Sequence, residues 1–75
     1  MPFTNAPYGP VTIALMTAAF EEAWSEAQRR GLVLVSADAA RDLMATTILT
    51  AVDNGERHPM RLKELALNAV EVGYT

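Results

Sequence analysis

The sequence predicts a small all-α domain of three helices, and three observations carry that prediction. Apolar residues recur at the i, i+3, i+4 and i+7 spacing of a helix face in three separate stretches. Glycines stand where those stretches stop, at Gly31, Gly55 and Gly73. Prolines stand where two of them start, at Pro10 and Pro59, the first helical position that suits a residue without an N–H. The expected organisation is one domain over 1–75, with an arm at 1–9 and helices at 10–30, 36–54 and 59–72.

The arm, "MPFTNAPYG", has two of the four prolines, and its Phe3 and Tyr8 are expected to pack down onto the helices. Gly9 then caps the first helix. Ile13, Met16, Phe20, Ala23, Trp24 and Ala27 make its apolar face, while Glu21, Glu22, Ser25, Gln28 and Arg29 take the other side. Arg29 and Arg30 put positive charge on the last turn, where the helix dipole favours it.

"LVLV", 32–35, is a short apolar run whose periodicity does not separate strand from coil. Its first reading is an extended connector lying over the core. The other reading is a short strand, whose partner strand must come from a second copy. Ser36 is a favourable N-cap for the second helix, with Asp38 in its first turn. Ala40, Leu43, Met44, Thr47, Ile48, Ala51 and Val52 form the main face of that helix. Ala45 and Leu49 widen it beyond one stripe. Asn54-Gly55 ends it, and His58-Pro59 begins the third helix, whose face is Leu62, Leu65, Ala66, Ala69 and Val70. Met60 and Leu67 fall off that face. The core expected from all three helices is Ile13, Met16, Phe20, Trp24, Leu43, Ile48, Val52, Leu62, Leu65 and Val70.

With 75 residues the core is small, and domains of this size usually draw on disulfides, a metal or a second subunit. The chain has no cysteine and one histidine, which excludes disulfides, thiolate metal sites and a histidine-rich metal site. A second subunit is the remedy left. No cofactor is expected. The formal net charge of −3 disfavours nucleic acid as a partner, and no apolar run approaches the roughly 20 residues that span a bilayer. The first residues lack the basic and apolar regions of a secretory signal, so a soluble cytoplasmic protein is expected.

The search for chemistry finds one local basic group, Arg57, His58, Arg61 and Lys63, at the start of the third helix. Backbone N–H groups there also favour anions. It is a candidate patch for a partner or an anion. His58 is flanked by Arg57 and Arg61 and not by an orienting carboxylate, so it does not read as a general base. No glycine-rich phosphate loop is present, and no catalytic residue is assigned.

The segment "GERHPMRLKELAL", 55–67, resembles a pattern in short uncharacterised bacterial proteins, mainly alphaproteobacterial. The match extends to the Ala23-Trp24 pair and the serine-started second helix. In that pattern Asp often precedes the proline, where this chain has His58. The resemblance implies the helical punctuation and assigns no residue a role.

The expected function is therefore a small non-catalytic interaction or regulatory module, self-associating as a homodimer and with room for a further protein partner. Ala45, Leu49, Met60 and Leu67 are the candidate dimer interface, being apolar and off the main faces. The alternative is a helix-turn-helix-like nucleic-acid-binding protein using the third helix. Its joint is long for that motif, and Glu56 and Glu64 dilute the basic group.

Overall fold

The computed structural model describes residues 7–31 and 37–73. They form α1 (Pro10–Arg29), α2 (Ala37–Asp53) and α3 (Pro59–Gly73). Phe3 in the arm, the "LVLV" segment, the Ser36 cap and the tail 74–75 lie outside the described residues.

Each described end has a local cause. Gly9 is extended ahead of α1, and its carbonyl accepts a hydrogen bond from Ile13 N at 3.0 Å. Gly31 follows α1 with φ +70°. At the end of α2, Gly55 takes φ +99°. Gly55 N donates to Val52 O at 3.0 Å, and Glu56 N donates to Ala51 O at 2.9 Å. That pair of bonds is the Schellman closure, which satisfies carbonyls the helix leaves over and turns the chain toward α3.

Two contacts fix the directions of the helices. Tyr8, just ahead of α1, donates its hydroxyl to Asp53 Oδ1 at the end of α2. Arg30, just after α1, reaches Glu71 near the end of α3 at 3.4 Å. So α1 and α3 run parallel, and α2 runs against both. The Cα radius of gyration is 11.5 Å, close to the ~11 Å expected of a compact chain of this length.

The core is the i, i+4 row Ala40, Met44, Ile48 and Val52 of α2. It meets Met16, Ala19, Phe20, Ala23 and Ala27 of α1 and Leu62, Ala66, Leu67 and Val70 of α3. Three expectations are corrected here. Leu43 is 39% exposed and outside the core. Leu65 is only half-buried, whereas Ile13 and Trp24, half-buried too, pack against the core as expected. Leu67, placed off the core face by its spacing, is 5% exposed. The reason is the position of α1. Four residues on either side of Leu67, Lys63 and Glu71 both lie against α1, so Leu67 falls on the edge that α1 covers.

Candidate interaction surfaces

The basic group at the α2–α3 turn is taken apart by its neighbours. Arg57 Nη1 donates to Val52 O at 2.7 Å and to Glu56 O at 2.8 Å, so its guanidinium caps the end of α2. It also lies 5.8 Å from the centroid of the Tyr8 ring. The Glu56 carboxylate accepts from Arg57 N at 3.1 Å and His58 N at 3.3 Å. Glu56 also stands 3.9 Å from Arg61, which is 3.8 Å from Glu64. Lys63 faces α1, in a shallow recess of about 290 Å³ shared with Glu21, Glu22, Ser25 and Arg29. His58 is exposed. The four side chains therefore do not converge on one point. Among the described residues no three His, Asp or Glu side chains are grouped to hold a metal ion. No described helix is long and apolar enough to cross a membrane.

The four candidate interface residues are also divided. Ala45 lines a groove against α1 with Arg41, Asp42 and Asp38, so this edge of α2 faces α1. Leu49, one helical turn on from Ala45, shares the edge and is half-buried. Met60, 56% exposed, stands on the edge of α3 that also faces α1, and Leu67 on the same edge is buried. The two pairs thus lie on opposite sides of α1 and do not form one surface. Leu67 belongs to the fold of the single chain.

The groove between α1 and α2 is the larger concavity, about 690 Å³ and open. Thr17, Phe20 and Ala45 line its floor, and Glu21, Asp38 and Asp42 rim it. Beside it the Phe20 and Trp24 rings are parallel, with centroids 6.5 Å apart, and the Arg41 guanidinium lies 5.0 Å over the Trp24 ring.

Sequence reasoning missed the surface formed by α2 and α3 together. Helical spacing puts Leu43 and Thr50 on the edge of α2 away from α1, Thr46 on the back of α2 opposite its buried row, and Arg61, Leu65 and Ala69 on the matching edge of α3. Leu43, Thr46 and Thr50 are exposed, and Leu65 and Ala69 are half-buried. None of these is acidic, although the chain has nine carboxylate side chains. A signal was available in the i, i+3, i+7 series Leu43-Thr46-Thr50, which lacks charge on a helix side that normally collects it.

No protein-family model, curated protein or solved structure matches this chain.

Proposed function

We propose that the protein is a small non-catalytic interaction module of the cytoplasm that associates with a second copy of itself. The observation that supports this most is the exposed Leu43, set in a strip of α2 that carries no charge. Apolar area left in water forfeits about 25 cal/mol per Å². A domain this small has only a few kcal/mol of net stability to set against such losses. Closed twofold pairing is the commonest way such a surface is covered. The pairing of Arg57 with backbone carbonyls and of Arg61 with Glu56, and the turn of Lys63 toward α1, support a protein partner over a polyanion.

Sedimentation equilibrium over micromolar to millimolar concentration tests the reading. The expected mass rises with concentration from the 8.1 kDa of one chain toward twice that value. A constant single-chain mass across that range would remove it.

A further inference from the structure

We infer that residues 1–6 of the same chain occupy the open groove between α1 and α2, with Phe3 seated over Thr17, Phe20 and Ala45. This holds whether or not the chain associates with a second copy.

The point of departure of the segment is fixed. Tyr8 donates its hydroxyl to Asp53 Oδ1. Asp53 lies about three helical turns after Asp42, so the two share one side of α2. Asp42 rims the groove. The anchor at Tyr8 therefore stands in line with the groove, at one end of it. The chain also bends at Pro7 and Tyr8, which frees the residues before the bend from continuing the line of α1 out into solvent.

Reach selects the floor. Along α1, Thr17 and Phe20 lie about 10 and 15 Å from Pro10, and along α2, Ala45 lies about 12 Å from Asp53. Phe3 stands about 17 Å from Tyr8 when the chain between them is extended. The two lengths agree. Pro2 and Pro7 steer the residues before them away from helical angles, which favours the extended form. In that form Met1 and Phe3 fall on one side. The groove is about 690 Å³ and floored by Thr17, Phe20 and Ala45, so it has the room and the apolar surface for a phenyl ring. The six residues carry no charged side chain, so no side-chain ion loses its water there.

The segment 32–36 does not compete for this floor. It is tied at Gly31 and Ala37, and a loop held at both ends reaches out about half of its ~20 Å contour. Thr17 lies about 21 Å along α1 from Gly31. A separate molecule competes with a segment already tethered at the end of the groove, whose effective concentration is in the millimolar range.

Two measurements on the full chain decide it. NMR of the unaltered chain is expected to show nuclear Overhauser contacts from the Phe3 ring to the methyl groups of Thr17 and Ala45. In a mixture of isotope-labelled and unlabelled chains, those contacts are expected within one chain and not between two. In the second measurement, Phe3→Ala is expected to raise the fluorescence of the neutral dye Nile red roughly threefold by uncovering the apolar floor. Phe3→Leu, which keeps an apolar side chain, is expected to stay near the unaltered chain, and circular dichroism checks that both variants keep their helices. Absence of contacts from Phe3 to both methyl groups overturns the placement. Contacts found only between chains overturn the assignment of the segment to its own groove. Equal dye fluorescence in Phe3→Ala and the unaltered chain shows that Phe3 does not cover the floor.

Discussion

Thr17 is 9% exposed, and its Oγ1 is shut off from water without a hydrogen-bond partner among the described residues. A hydroxyl buried in that way loses its hydration and gets nothing in return, a cost of about 1–3 kcal/mol. Valine has nearly the same shape and no polar atom. Thr17→Val is therefore expected to stabilise the fold by about 1 kcal/mol, seen as a higher urea midpoint with an unchanged slope. Glu26 shows the opposite case, a polar group with two partners. Hydrogen bonds from Arg29 and then Arg30 hold its carboxyl below the usual carboxylate range, aided by the charges of both. A folded pKa below the unfolded one means that the contribution is complete above the unfolded value. It is lost as pH falls through the folded one. Melting temperature followed from neutral pH into the acid range is expected to fall less in Glu26→Gln than in the unaltered chain.

The α2–α3 turn is the element where local chemistry decides most. Gly55 holds φ +99°, and a Cβ added there would meet nothing within 4 Å. The cost of Gly55→Ala is thus purely conformational, about 1–2 kcal/mol for an L side chain in the left-handed region. Chemical denaturation is expected to show that loss with little change in helix content. Arg57, part of the basic group in the sequence, makes its side-chain hydrogen bonds within this turn. Its two carbonyl bonds tie Val52 in the last turn of α2 to Glu56 in the loop beyond it. Its guanidinium also covers Tyr8, whose hydroxyl is bound to Asp53. The turn therefore holds the chain ahead of α1 as well as joining α2 to α3.

At the scale of the molecule, burial is set by which helix lies over which edge. Leu67 and Met60 are both apolar residues off the periodic face of α3, and spacing alone treats them alike. The structure separates them, with Leu67 at 5% exposure under α1 and Met60 at 56%. Leu67→Ala is expected to cost about 2–5 kcal/mol, as a large-to-small change in a core does. Met60→Ala is expected to stay within about 0.5 kcal/mol of the unaltered chain, as exposed substitutions do. Equal losses at the two positions, measured by thermal unfolding, would mean that α1 does not cover α3 in this way.

Three helices, with Gly55 as the left-handed stop of α2 and Pro59 as the start of α3, were legible in the sequence. Those features depend on residues close in the chain and on backbone chemistry that needs no partner. The inner rows were legible for the same reason: Met44, Ile48 and Val52 sit at the centre of their stripe, where any packing partner buries them. The edges were not. By spacing Leu43 and Leu65 read as core and Leu67 as surface, and a residue at the border of a stripe is buried or exposed according to the neighbouring helix. The basic group read as one patch because Arg57, His58, Arg61 and Lys63 are near in sequence. In space they part, since a helix turns 100° per residue, Arg57 takes backbone carbonyls, Arg61 stands beside Glu56 and Glu64, and Lys63 faces α1. Periodicity tells a helix which way its centre faces, and only the docking of α1 and α3 decided which edges of α2 remained to meet something else.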